Sequence, residues 1–184
     1  MNEPDDMMLI QAYIAGDVKA FETLYHRYRK QLFGYLCNLM SGNNSEAEEI
    51  FEETWIKVID KLPGYRDQGK FSAWLFRVAK NVFLDTVRKN KRSGVCPESG
   101  ELPDVPDWNQ RPEKEIEEAD TLRVINAALA ELPEDQREVF LLRQQSFSFK
   151  EISEIQSCSI NTVLGRMHYA VRNLKKFITG KVNL

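Results

Sequence analysis

The sequence predicts an all-α protein of two small helical domains joined by an acidic, flexible linker. Three observations carry that prediction. Apolar residues recur at i, i+3 and i+4 along most of the chain, and no convincing alternating strand pattern appears. One stretch, Ser93 to Pro112, loses this pattern and carries Pro97, Pro103, Pro106 and Pro112 among many acids, a composition that buries too little apolar surface to order itself. The 184 residues are 42% hydrophobic and 29% charged, ordinary for a soluble globular chain. The expected division is a domain over 1–92, a linker over 93–115 and a second domain over 116–184. Domains of this size bury little surface, so each core is marginal.

Asp17 to Leu39 reads as the first helix, with Ala20, Phe21, Leu24, Tyr25, Tyr28, Leu32, Phe33, Tyr35, Leu36 and Leu39 as its apolar positions. Ser41-Gly42-Asn43-Asn44 is a turn. Ser45 is placed to cap a helix over 46–62, with Glu48 three residues later as in a capping box. That helix directs Ala47, Ile50, Phe51, Thr54, Trp55, Val58, Ile59 and Leu62 inward, and Pro63-Gly64 ends it. After a loop from Tyr65 to Lys70, a helix from Phe71 to about Lys89 directs Leu75, Val78, Ala79, Val82 and Phe83 inward. Beyond the linker, a helix over 116–131 stops at Leu132-Pro133, and another covers Glu134 to Gln145. Ser148 and Glu151 form a capping box for a short helix. Gln156-Ser157-Cys158-Ser159 is a turn, and Ser159 caps a longer helix from Ile160 to Phe177.

The net charge of −3 conceals strong segregation. Glu46 to Glu53 holds five acids and no base, and Arg77 to Arg92 holds six bases and one acid. Glu98 to Asp120 holds nine acids and two bases, whereas the chain after Arg166 has no acid at all. Two basic patches separated by an acidic tract point to polyanion binding at two places. Several function classes lose ground. Cys37, Cys96 and Cys158 lie far apart, and His26 and His168 are the only histidines, which leaves little material for a disulfide framework, a zinc cluster or a histidine-based triad. No cofactor and no metal site is expected. Neither a membrane span nor a secretory leader is legible, and a reducing cytoplasm is the simplest compartment.

Phe149 to Phe177 has the form of a helix-turn-helix. Ile152 and Ile155 can seat the first helix on Val163, Met167 and Ala170 of the second. The other face of the second helix then shows Asn161, Thr162, Leu164, Gly165, Arg166, His168, Tyr169 and Arg172. A recognition helix needs this division: one face on its own domain, the other facing base edges.

These residues resemble a known family. The run Ala128 to Phe140 (ALAELPEDQREVF), then Phe149-Lys150-Glu151-Ile152, then Ser159-Ile160-Asn161-Thr162-Val163 with Arg166, is similar to region 4 of the extracytoplasmic-function (ECF) sigma factors of bacterial RNA polymerase. Ala20 to Tyr25 resembles the opening of region 2, Ala47 to Lys57 its core-binding helix, and Phe71 to Asn81 the helix that reads the −10 element. The resemblance covers nearly the whole chain, in order. There are departures. Leu164 and Gly165 stand where the family usually carries a base and a small polar residue, and Tyr169 stands at a usual arginine. At Leu164 the reading shifts toward contact with a thymine methyl.

The resemblance implies a promoter-specificity subunit rather than an enzyme. Its partners would be core RNA polymerase, through the clamp helices and the flap region, and promoter DNA. The family commonly adds an anti-sigma factor, including membrane-bound ones, but no direct membrane insertion. Core binding would fall on Glu49, Glu52, Glu53, Thr54, Ile56 and Lys57. The −10 element would be bound by Tyr65, Arg66, Arg77, Lys80, Asn81, Arg88, Lys89, Lys91 and Arg92, with Asn81 holding a flipped-out base. Trp74 is a candidate stacking platform, with a core role weighed above it. The −35 element would be bound by Ser159, Asn161, Thr162, Leu164, Gly165, Arg166, His168, Tyr169 and Arg172, with Arg166 and Arg172 on phosphate. The alternative is a stand-alone helix-turn-helix regulator that works without polymerase. A small hydrolase is disfavoured, because no nucleophile–base pair or phosphate-cradling glycine loop is present.

Overall fold

The computed structural model describes residues 4–40, 43–66, 70–93 and 125–182, and these residues form helices and connecting turns with no strand. They divide into two compact units. Ser93, the expected first residue of the linker, ends a helix, whereas the rest of the linker, the greater part of the helix expected over 116–131, and Cys96 lie outside the described residues.

In the first unit, α1 (Asp6–Ile14) was not legible as an element. Nine residues are too few for a helix to persist alone, and this one exists through its contacts. Leu9 and Ile10 are buried, and the Asp6 carboxylate accepts from the Arg27 guanidinium and the Tyr28 hydroxyl. The helix closes in a Schellman turn. Gly16, at φ 105°, donates to Tyr13 O at 2.9 Å, and Asp17 N–H donates to Ala12 O at 2.9 Å. Asp17 then caps α2 (Val18–Leu39), accepting Lys19 N–H at 3.0 Å.

The face of α2 that carries Leu24, Leu32, Tyr35 and Leu36 is buried. Helix α3 (Asn44–Lys61) begins before the expected position, so Ser45 lies inside its first turn rather than at its cap. It buries Ala47, Ile50, Thr54, Trp55 and Val58. Phe51 is only half-buried and Ile59 is 36% exposed. Both flank the inward stripe, and the expectation of full burial fails for them. A 3-10 turn (Leu62–Gly64) takes over where Pro63 ends α-helical bonding. Helix α4 (Phe71–Ser93) runs one turn past the expected Lys89, and its last turn carries Lys91 and Arg92 against the negative end of the helix dipole.

In the second unit, residues 125–130 are helical (α5) and are followed by α6 (Glu134–Gln144), α7 (Phe149–Ile155) and α8 (Ile160–Val182). Leu132 is buried, and Pro133 stands at the N-cap of α6. Buried Arg137 donates to Ala130 O at 2.9 Å and Leu132 O at 3.0 Å, meeting carbonyls that the end of α5 leaves open. Burial pushes its pKa down from the ordinary arginine value, against the opposing pull of Glu134.

The capping box of α7 forms as the sequence implies. Ser148 N–H donates to Glu151 Oε2 at 2.8 Å, and Glu151 N–H donates to Ser148 Oγ at 3.2 Å. A second Schellman turn ends α7, with Ser157 at φ 51° and Cys158 N–H donating to Ser153 O at 3.0 Å. Ser159 Oγ accepts Thr162 N–H at 3.1 Å and so caps α8. Across the α6–α8 packing, Asn173 Nδ2 donates to Gln136 Oε1 at 2.9 Å.

Candidate nucleic-acid interface

The first turns of α8 carry the clearest division of faces. Val163 and Ala170 are fully buried, and Ile152 and Ile155 of α7 are buried with them. Asn161, Thr162, His168 and Arg172 are exposed, as are Leu164 (44%) and Tyr169 (46%). Ser159 is exposed at the cap, and Gly165 and Arg166 are half-exposed. The expected −35 residues therefore share one helix and, apart from Arg166, largely one side of it.

Two arrangements here were not anticipated. The Arg172 guanidinium carbon lies 4.6 Å from the centroid of the Tyr169 ring, a cation–π contact between residues one turn apart. Arg166, expected on phosphate, instead donates to Asp135 Oδ2 at 2.6 Å and contacts Cys158 Sγ at 3.5 Å. The first pair could have been found from its i, i+3 spacing. No local signal connects Asp135 with Arg166. Ile160 is also exposed, one turn before Leu164, and was not singled out.

Helix α4 separates its faces as cleanly. Phe76, Ala79 and Val82 are fully buried or nearly so, while Arg77, Asn81, Asp85 and Arg88 are exposed on the other side. Arg66, Lys89, Lys91 and Arg92 are exposed as well. Lys80 departs from the expectation. It is only 7% exposed, because i, i+4 and i+7 phasing sets it in line with Phe76 and Phe83 on the inward side. It is not a surface phosphate ligand in this conformation. Tyr65 and Trp74 are half-buried and pack with their rings tilted by 52°, centroids 4.9 Å apart, and Phe71 lies 5.6 Å from each. Trp74 packs on these aromatic neighbours and is only half-buried.

The outer face of α3 is acidic. Glu49, Glu52, Glu53 and Asp60 are exposed, and Ile56 is 60% exposed among them. Lys57 pairs with Glu53 at 2.8 Å. Thr54, grouped with this face by resemblance, is fully buried, and its hydroxyl donates to Ile50 O at 2.6 Å. It belongs to the core, as its helical phase requires. Beside this face lies an aromatic cluster the sequence reading did not assemble. Trp55 stands 5.7 Å from Phe21, 5.1 Å from Tyr25 and 6.3 Å from Phe51.

Known proteins resemble this chain along most of its length. Sigma-70 region 2 matches residues 24–93, and Sigma-70 region 4 matches residues 122–174. The ECF RNA polymerase sigma-E factor of Haemophilus influenzae is 28% identical over 173 residues, covering 90% of each chain. The ECF RNA polymerase sigma factor SigW of Bacillus subtilis is 29% identical over 173 residues, covering 88% of this chain and 90% of its own. Among solved structures, the sigma factor RpoE in complex with the anti-sigma factor NepR from Bartonella quintana superposes with a TM-score of 0.72 at 26% identity, over 88% of this chain and 98% of that one. CnrH, in complex with the cytosolic domain of CnrY, shares the fold with a TM-score of 0.69 at 19% identity, over 95% and 97% of the two chains. With both sigma regions present in chain order and relatives aligned along most of their length, the chain belongs to the ECF sigma factors of bacterial RNA polymerase.

Proposed function

We propose that this protein binds core RNA polymerase, recognises the −35 and −10 promoter elements and promotes strand separation, acting as a specificity subunit and not as an enzyme. The observation that carries the reading is the division of α8. Val163 and Ala170 are sealed in the core, while Asn161, Thr162, His168 and Arg172 face outward from a segment with no acid after Arg166. A major-groove reader requires that combination of seated face, donor-bearing face and positive charge.

The −10 element would meet Arg77, Asn81 and Arg88 of α4, together with Tyr65, Arg66, Lys89, Lys91 and Arg92. An exposed amide at Asn81 can both donate to and accept from an extruded base. Core polymerase would meet Glu49, Glu52, Glu53 and Ile56 of α3, where charge complementarity to a basic coiled coil sets register and association rate. Domains at 1–92 and 116–184 flanking a linker at 93–115 fit the two matched regions. The relative RpoE was solved with an anti-sigma factor, and we extend that class of partner to this chain. Among the described residues no helix is long and apolar enough to cross a membrane, and the cytoplasm, where polymerase works, is the proposed compartment.

Transcription in vitro with purified core polymerase on a genomic fragment library tests the reading. New start sites that depend on this protein are expected. Asn81→Ala is expected to impair open-complex formation with core binding intact. Tight sequence-specific duplex binding by the free protein, with no effect on polymerase, would point instead to a stand-alone regulator.

A further inference from the structure

We propose that Leu164 and Gly165 form a notch on α8 that reads the 5-methyl group of a thymine in the upstream promoter element. This rests on the promoter-binding reading above and assigns one feature of its specificity.

Helical phasing lines up Asn161, Gly165, His168 and Arg172 at i, i+4, i+7 and i+11. This stripe lies opposite Val163 and Ala170, which are fully buried. Gly165 therefore sits near the centre of the outward face. Nothing inside the protein calls for a glycine there. A Cβ at this position would meet no atom within 4 Å, and the backbone is not in the left-handed region. Glycine within a helix is less favourable than alanine, so the fold gains nothing from the missing side chain. What its absence provides is a gap on the side facing away from the domain, open to close approach by another molecule.

One flank of that gap is apolar, the others being Asn161, Thr162, His168 and Tyr169, three and four residues from Gly165. Leu164 adjoins the gap and is 44% exposed, with Ile160, 46% exposed, one turn earlier. Neither can hydrogen-bond to a base edge. Of the groups displayed in the major groove, the thymine methyl is the apolar one, and aliphatic side chains are its natural contact. Asn161 and His168, exposed on the same stripe, leave polar groups beside the gap for neighbouring base edges. An alanine methyl at 165 would occupy the space that the base methyl needs.

The test uses holoenzyme assembled from the full chain and core polymerase, on duplex libraries randomised over the upstream element. One library contains thymine and the other deoxyuridine, which lacks only the methyl. Wild type should select thymine at a fixed upstream position and lose about fourfold in affinity when deoxyuridine replaces it. Leu164→Ala should abolish that discrimination. Gly165→Ala should raise the Tm by about 2–4 °C and weaken upstream-element binding by about tenfold. Equal wild-type affinity for the two libraries, with promoter-dependent transcription intact, would overturn the notch alone. So would a Gly165→Ala protein that keeps wild-type discrimination, or one that loses Tm and binding together. Absence of any promoter-dependent transcription would overturn the parent reading, and the notch with it.

Discussion

Arg166 on α8 donates from Nη2 to Asp135 Oδ2 in the first turn of α6, at 2.6 Å, across 31 residues of sequence. The pair joins the two helices whose packing holds the second unit together. It also occupies a cation that sequence reasoning had assigned to DNA phosphate. Asp135 is 54% exposed at its side chain, so solvent screens the pair and its stabilisation is at most about 1 kcal/mol. Asp135→Asn should therefore change stability by less than about 1 kcal/mol while releasing Arg166. Duplex binding should tighten at low salt, and the slope of log K against log salt should steepen by about 0.9 for the added phosphate contact. Fluorescence anisotropy across a salt series measures both. An unchanged slope would show that Arg166 stays seated without its carboxylate.

Helix α3 separates a residue type from its role. Thr54 is buried with its hydroxyl bonded to Ile50 O, while Glu53 is exposed one residue earlier. Thr54→Val keeps the side-chain shape and removes a hydroxyl whose acceptor is its own helix. It should alter stability by no more than about 1 kcal/mol and leave core-polymerase affinity at the wild-type value. Glu53→Lys should weaken core association by reversing charge on the proposed interface, with the fold retained. Competition binding to core enzyme with both variants reads the difference. Equal affinities for wild type and Glu53→Lys would remove this face from the interface.

The Tyr28 hydroxyl is buried and donates to the Asp6 carboxylate. Burial, then the bond to Asp6, then the charge of Asp6 all push its pKa up from the ordinary 10.0. The folded state therefore holds this proton more tightly than the unfolded chain. The associated stability is fully present below about pH 10 and is lost as pH rises beyond it, where the unfolded chain ionises first. Tyr28→Phe should flatten the alkaline limb of a denaturation profile, while lowering stability near neutrality by about 1 kcal/mol through the lost hydrogen bond. An alkaline limb of wild-type steepness in the variant would show that other groups control it.

Ser157 occupies the left-handed region at φ 51° in the turn between α7 and α8. A residue with a Cβ is disfavoured there by roughly 1 kcal/mol, and glycine is the usual occupant of this Schellman position. Ser157→Gly should stabilise the protein by up to about 1 kcal/mol, an amount reduced by the added freedom of the unfolded chain. Thermal denaturation should show a Tm higher by about 2–4 °C. A lower Tm would mean that the serine side chain contributes more than the backbone strain costs.

Local periodicity and capping chemistry made much of this protein readable in advance. The Ser148–Glu151 capping box, the Ser159 cap and the outward residues of α8 follow from spacings of three and four residues, which any helix of this sequence would realise. The burial of Thr54 likewise follows from its phase between Ile50 and Val58. Where resemblance assigned Thr54 to a surface, periodicity was the better guide. Tertiary structure decided the remainder. Helix α1 forms because Asp6 meets Arg27 and Tyr28 and because Leu9 and Ile10 find a core. Arg137 is buried because it satisfies carbonyls at the end of α5. Arg166 turns to Asp135 because α6 and α8 pack together. Spacing within a helix is fixed by the backbone, so sequence alone determines which residues share a face. Which distant groups meet depends on how faces pack, and that decided which charges remain free to touch DNA or polymerase.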